Sequence, residues 1–238
     1  MKKWTFAKDG FEIHRNVIPL SAREELREEA KSIARQAGST CVRHLRARSP
    51  LIDQLSTSRN LSELLPSPHS FRPVRSILFD KTANQNWPVP WHQDLTICVI
   101  EKVELAGYGP WTVKEGVHHV QPPLSLLENM VTLRLHLDDT PATNGALFVH
   151  PQSHRRGILP YESFRNISSS AKVACACRAG DVLLMSPLLA HSSPRSDSPE
   201  HRRVLHIEYA PREDLHALLD WAEAAGAPLA PNTGKECG

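Results

Sequence analysis

The segment Val131-Thr132-Leu133-Arg134-Leu135-His136-Leu137 alternates apolar and polar residues without a break. Period two is the mark of a β-strand with one face turned to a core, and a helix has no use for it. Shorter β-rich runs recur on either side, at 74–79, 91–100, 146–149, 171–177, 182–189 and 204–209, most of them bounded by Pro, Gly, Asn or Asp. Ahead of them the pattern is helical. Ser21 with Glu24 has capping-box spacing before a Glu/Arg/Ala/Leu-rich run over 22–36 that Gly38 stops. Ser49-Pro50 opens a second helical patch through Leu55, and 61–65 makes a third. About seven short strands behind a helical segment predict a mainly β fold with helices, a β-sandwich or jelly roll braced on one face. A single domain over 1–238 is expected: a mostly helical 1–70, a β core over 71–211, then a short amphipathic helix over 213–225 and a frayed tail.

Bulk composition closes off several function classes. At 238 residues the chain is long enough for one substantial core, and 40% hydrophobic with 23% charged residues is ordinary for a globular protein. A formal charge of +2, with both signs interspersed, gives no footprint for nucleic acid. No apolar run reaches the ~20 residues that span a bilayer, and the basic start lacks an apolar stretch behind it, so neither a membrane span nor a signal peptide is expected. The five cysteines are scattered, and Cys175 and Cys177 lack the spacing of a zinc pair, so reduced thiols and a cytoplasmic location are expected. Oligomeric state is left open.

The chemistry concentrates in Trp91-His92-Gln93-Asp94-Leu95-Thr96-Ile97-Cys98-Val99-Ile100, which reads as one strand entered after Pro88 and Pro90. Along a strand His92 and Asp94 share a face, while Trp91, Gln93, Leu95 and Ile97 share the other and pack. His191, at the end of a second apolar run and 97 residues beyond Asp94, is the best third member. Two imidazoles and one carboxylate that leave three positions open form the facial arrangement of non-haem Fe(II) oxygenases. A hydrogen-bonded structural histidine is the competing reading. In the last strand Arg202, Val204, His206 and Glu208 share the more polar face. A guanidinium buried there needs an anion and pairs bidentately with a carboxylate: a small dicarboxylate near the metal, or else Glu208 or an acidic loop. Thr132, Arg134 and His136 form a comparable face that lines a pocket or meets solvent. His118 and His119 point opposite ways on any strand and suit a surface loop better. A Ser-His-Asp hydrolase is set aside: Ser186 and Ser193 lack a Gly-x-Ser-x-Gly elbow.

Taken in order, Asp9-Gly10-Phe11, Trp91-His92-Gln93-Asp94, Asn144-Gly145-Ala146-Leu147, Pro151-Gln152-Ser153-His154-Arg155, Gly180-Asp181-Val182-Leu183-Leu184 and His191-Ser192-Ser193 with Arg202 resemble the phytanoyl-CoA dioxygenase family. The resemblance runs from about residue 9 to 211 and includes the eleven-residue step from His191 to Arg202. It implies an Fe(II)/2-oxoglutarate-dependent oxygenase on a cupin-like double-stranded β-helix. In that reading His92, Asp94 and His191 hold iron, Arg202 holds the far carboxylate of 2-oxoglutarate, and Ser193 adds a hydrogen bond to it. Dioxygen is the second co-substrate, and a small molecule is oxidised with release of succinate and CO2. Asp94, where halogenating relatives have a small residue, points to hydroxylation or another oxidation. Two departures bear on the pocket mouth: Gln152 stands where the family commonly has glycine, and Ser192 where it often has glycine.

Between Glu101 and Pro123 lies a stretch with three glycines and little periodicity. Loops of that length are often functional, and 101–123 is the expected lid, with Tyr108 and Trp111 contacting substrate. A floppy connector is the alternative. Two rival functions use the same barrel: a cupin-like metal-dependent isomerase or lyase, and a non-catalytic ligand-binding barrel. Which substrate is bound is not legible in these residues.

Overall fold

Strand Arg202–Pro211 and strand Phe71–Lys81 pair antiparallel over their whole length, and the rest of the fold is arranged about them. The computed structural model describes residues 3–68, 70–169, 171–197 and 201–223. Its helices are Phe6–Asp9 (α1), Leu20–Ala37 (α2), Leu45–Arg48 (α3), Pro50–Ser56 (α4), Arg59–Ser62 (α5), Leu124–Asn129 (α6) and Ser163–Ser169 (α7). Strands in the first half are Phe11–His14 (β1), Cys41–Arg43 (β2), Phe71–Lys81 (β3), Val89–His92 (β4), Ile97–Val99 (β5), Trp111–Lys114 (β6) and Val117–Val120 (β7). The second half adds Val131–His136 (β8), Leu147–Val149 (β9), Val173–Cys175 (β10), Val182–Met185 (β11), His191–Ser193 (β12) and Arg202–Pro211 (β13). All described pairings are antiparallel, in sheets ordered β1-β11-β8-β13-β3-β2, β10-β9-β12-β4 and β5-β7-β6. The mainly β fold with flanking helices is the expected one.

Alternation sorts the large sheet into two faces. Leu78, Leu133, Leu135, Leu205 and Ile207 point outward and are buried under Leu26, Ala30 and Ile33 of α2 with Ile52 and Leu61. Each such side chain contributes about 1.5–3 kcal/mol by leaving water. The inward face carries Arg75, Ile77, Phe79, Arg134, Arg202, His206 and Glu208, which look into a cavity closed from the other side by β4 and β12. So the sequence of β8 and β13 supplies an oily face for helices and a charged face for a site.

Several local expectations change. Helix α2 starts at Leu20 with Pro19 as N-cap, and no side-chain cap forms, so the Ser21/Glu24 box is not used. Proline's fixed φ already presets the entry, and the Pro19 carbonyl accepts from Arg23 N–H. The C-terminus behaves as expected: Gly38 is left-handed at φ 61 and donates to Ala34 and Arg35. Ser49 caps α4 by accepting from Ile52 N–H. The third patch forms at Arg59–Ser62, slightly earlier than expected. Where an amphipathic helix is expected over 213–225, residues 212–223 form turns and bends, and Trp221 bridges to Val99. Residues 224 and 225 of that segment, and the tail from 226 on, lie outside the described residues.

The stretch 101–123 is neither a floppy connector nor an unstructured loop: β6 and β7 form a hairpin added to β5. Its turn, Glu115-Gly116, has both residues at positive φ (50 and 76), the geometry of a two-residue hairpin turn. His118 and His119 therefore sit on a strand, and His119 is fully buried. Among the cysteines, Cys98, Cys175 and Cys177 are buried free thiols, whereas Cys41 is disulfide-bonded, against the expectation of uniformly reduced thiols. No described helix is long and apolar enough to cross a membrane.

Candidate metal centre

The run 91–100 is not one strand. β4 ends at His92, residues 93–96 are irregular, and pairing resumes at Ile97. Gln93 explains the break. Its side-chain amide donates to the carbonyls of Gly157 and Leu188, and its carbonyl oxygen accepts from Leu159 N–H. Those three bonds replace a strand ladder and bolt the turn to two other loops. Asp94 N–H then donates to Pro187 O, which carries the carboxylate to the β12 side. The expected proximity of His92 and Asp94 survives, for a different reason than strand alternation.

His191 pairs directly with His92 across β12 and β4, and the two rings lie 4.1 Å apart between centroids. His92 Nε2 is 3.7 Å from Asp94 Oδ1, and His191 Nε2 is 3.6 Å from Asp94 Oδ2. One donor atom from each of the three lies within 4.8 Å of the others, a group that could hold a metal ion. Each ring is oriented from behind. His92 Nδ1 is 2.8 Å from Pro90 O, and His191 Nδ1 is 2.8 Å from Leu189 O. A carbonyl only accepts, so Nδ1 carries the proton and the Nε2 lone pair faces Asp94. Burial, reinforced by the nearby His92 ring, pushes His191 down to about 3, so the imidazole is neutral at physiological pH. Burial would raise the Asp94 carboxyl, but His191 and His92 hold it below the usual carboxylate range. Asp94 Oδ2 is nonetheless buried without a hydrogen-bond partner. An anionic oxygen in that state, beside two free lone pairs, fits a cation at the centre of the group.

The cavity in front of the triad measures about 320 Å³ and is lined by several cations. Arg202 is buried, its Nε has no partner, and burial together with nearby Arg134 pulls it down to about 9. It does not pair with Glu208, which takes Arg75 and His206 instead. Ser193 Oγ donates to Gly145 O and accepts from the fully buried Lys81 ammonium at 2.8 Å. Gly145 is left-handed at φ 63, and a Cβ there would press on Pro194 O at 3.3 Å, so Asn144-Gly145 shapes this corner by close approach. Lys81 was missed in the sequence. The available signal was the alternation Arg75, Ile77, Phe79, Lys81 along β3, a face with a cation at each end.

Other motif residues turn out to be scaffolding. Ser153 Oγ accepts from Ala190 N–H, immediately before His191, and Asp181 ties down Arg15, Asn16 and Arg178. Gln152 adopts φ 68, the left-handed conformation a glycine would take, so the turn keeps its backbone despite the substitution. Arg134 faces the cavity as expected, with Nη1 2.8 Å from His206 Nδ1. Thr132 and His136 do not line it. Both are buried, Thr132 Oγ1 without a partner and His136 against Thr140. Tyr108 and Trp111 are likewise absent from the cavity lining and pack on the second core with Val99 and Trp221. Apolar packing of the hairpin outcompeted the lid role proposed for these two rings.

The family model for phytanoyl-CoA dioxygenase matches residues 6–204. The chain belongs to the phytanoyl-CoA dioxygenase family. Its members are non-haem iron, 2-oxoglutarate-dependent oxygenases. A methylphosphonate hydroxylase from Gimesia maris is 27% identical over 99 residues, 40% of this chain and 38% of that protein, so the match spans well under half of the relative's length. Among solved structures, the α-ketoglutarate-dependent carbocyclase SnoK from nogalamycin biosynthesis superposes with a TM-score of 0.67 at 15% identity, over 87% of this chain and 81% of its own. HygX from Streptomyces hygroscopicus, solved with nickel and 2-oxoglutarate bound, gives 0.58 at 17% identity, over 87% and 84%. These likenesses show that the three chains share a fold.

Proposed function

We propose that this protein is an Fe(II)/2-oxoglutarate-dependent oxygenase that hydroxylates or otherwise oxidises a C–H bond of a small molecule, releasing succinate and CO2. One observation carries the reading: a His-Asp-His donor group and a buried guanidinium that pairs with no carboxylate among the described residues face the same cavity. A metal-dependent isomerase or lyase needs the first and has no use for the second.

His92, Asp94 and His191 would hold the metal, with Nδ1 bonds to Pro90 O and Leu189 O fixing both rings. When bound, ferrous iron and 2-oxoglutarate supply the activation of dioxygen, which the side chains cannot do themselves. Arg202 would take the distal carboxylate of the oxo-acid, with Ser193 and Lys81 beside it. Phe79, Ile77, Leu147 and Val89 line the remaining wall and keep water out. The likeness to a methylphosphonate hydroxylase favours hydroxylation over a carbocyclase activity such as SnoK's. The site residues carry the activity within one domain over 1–238. We place the protein in the cytoplasm on its three buried free thiols, the Cys41 disulfide being the observation against it.

The test is succinate formation from 2-oxoglutarate, with and without Fe(II), alongside oxygen consumption. Turnover of a substrate without loss of oxygen would turn the assignment to an isomerase or lyase. Failure to bind both Fe(II) and 2-oxoglutarate in calorimetry would leave a ligand-binding barrel.

A further inference from the structure

The inward face of β3 runs Arg75, Ile77, Phe79, Lys81, with Lys81 opposite Arg202 and Arg75 opposite Glu208 on β13. The cavity therefore has two ends, and the co-substrate accounts for the one at Arg202. At the other, four side chains from three adjacent strands are strung together: Arg75 of β3, Glu208 and His206 of β13, and Arg134 of β8. Arg134 Nη1 is 2.8 Å from His206 Nδ1, and His206 Nε2 is 3.2 Å from Glu208 Oε1. Arg75 Nη1 donates to that same oxygen at 3.1 Å. A guanidinium only donates, so Nδ1 of His206 accepts and Nε2 carries the proton that it shares with Glu208. Burial lowers the imidazole below its ordinary value, opposed by Glu208 and helped by Arg134, which agrees with a neutral ring. Phe79 packs edge-on against that ring at 5.6 Å between centroids, and Arg134 lies over the Phe79 face at 5.4 Å.

The string holds Glu208 still and leaves half of its carboxylate unused. Glu208 is only 3% exposed, and both of its hydrogen bonds to described residues go to Oε1. Oε2 accepts from none of the described residues, and Glu208 lines the cavity. A buried acceptor that no protein donor satisfies is aimed at a ligand. Charge decides which ligand. Arg75 already neutralises Glu208, Arg134 adds a positive charge behind His206, and Arg43 at the same end is paired with Glu115. An ammonium therefore meets no surplus of negative charge, and a carboxylate has no proton to give to Oε2. A neutral hydroxyl satisfies the acceptor at neither cost. Ile77, Phe79 and Leu95 supply apolar contact for the carbon skeleton that carries it.

Resting on the oxygenase reading above, we infer that the substrate is a neutral alcohol whose hydroxyl donates to Glu208 Oε2, and that Glu208 is the residue that selects it. Arg75, His206 and Arg134 are positioning residues that hold the carboxylate in one orientation. The anchored hydroxyl then fixes which carbon of the substrate is turned toward His92, Asp94 and His191 on the other side of the cavity.

The experiment is calorimetric titration of four probes of one size, cyclohexanol, cyclohexanone, cyclohexylammonium and cyclohexanecarboxylate, into the full chain loaded with Mn(II) and 2-oxoglutarate without oxygen. Cyclohexanol should bind about ten-fold or more tightly than cyclohexanone, which keeps the oxygen and lacks the donor. It should also bind more tightly than either charged probe. Glu208→Gln puts an N–H₂ donor beside the accepting oxygen, and alcohol and ketone both accept from it. The preference for cyclohexanol should then collapse while 2-oxoglutarate affinity is unchanged, whereas a merely structural role of Glu208 would weaken both probes together and keep their ratio. The wild-type ratio decides by itself if that variant does not fold. Equal binding of cyclohexanol and cyclohexanone, tighter binding of the ammonium or the carboxylate, or a preference that survives Glu208→Gln overturns the inference, and normal 2-oxoglutarate binding in the same titrations keeps the oxygenase reading. Failure of 2-oxoglutarate itself to bind overturns the reading and the inference together.

Discussion

The two ends of the cavity both present guanidinium groups, yet they are built differently. At the Arg202 end no carboxylate among the described residues pairs with the guanidinium, and its neighbours Arg134 and Lys81 repel it. At the Arg75 end each arginine already has a carboxylate, Glu208 or Glu115. A buried charge without a partner is expensive, and the low-dielectric surroundings that make it so also make it a strong receptor for a dianion. A paired charge is cheaper in the empty protein and binds more weakly, because a ligand must share or displace the partner. Of the two, the first end is the stronger receptor for an added anion.

The largest expected effect falls between the ends. Asp94→Ala should abolish stable metal binding, read by metal analysis after gel filtration, and iron retained at wild-type stoichiometry would mean the centre lies elsewhere. Arg202→Met should come next. Loss of a charge-assisted, bidentate contact in a dry site is expected to cost about 2–5 kcal/mol, so 2-oxoglutarate affinity should fall by about 30-fold or more in calorimetry. An unchanged affinity would mean that the unpaired end is not the clamp.

Lys81 sharpens the comparison through pH. Burial, with Arg202 and Arg134 nearby, lowers its ammonium from 10.5 to about 7. The unfolded chain therefore holds a proton between pH 7 and 10.5 that the folded protein has released, and this group makes stability rise with pH across that window. A dianion at Arg202 restores the ammonium, so 2-oxoglutarate binding at pH 8 should take up protons. Calorimetry in buffers of different ionisation enthalpy measures the uptake, and Lys81→Met should remove it. At the paired end Glu115→Gln should lower thermal stability by a few degrees without touching 2-oxoglutarate affinity. Smallest of all, Gln152→Gly touches neither end. The strain relieved at φ 68 offsets glycine's entropy, so stability should shift by no more than about 1 kcal/mol in chemical denaturation.

Much of the site was legible because its logic is local. His92 and Asp94 are two residues apart, and Arg202, His206 and Glu208 share a strand face, so short-range geometry exposes them. Lys81 and the Arg43, Arg75 and Lys114 wall were not legible. Each is an ordinary cation in an ordinary strand until the pairing of β2, β3 and β13 and the addition of the hairpin bring them around one cavity. Tyr108 and Trp111 failed in the opposite sense: a glycine-rich stretch looked like a mobile lid, but its flanking apolar residues had a core to join.

The sequence by itself determined the alternation of β8 and β13, the caps at Gly38 and Ser49, and the identity of the three metal-competent side chains, because each depends on neighbours within a few residues. Tertiary structure alone decided that Gln93 breaks its strand, that Arg202 goes unpaired while Arg75 does not, and that Glu115 reaches Arg43. Those outcomes turn on charge and hydrogen-bond partners far apart in the chain, and only the folded packing chooses among them.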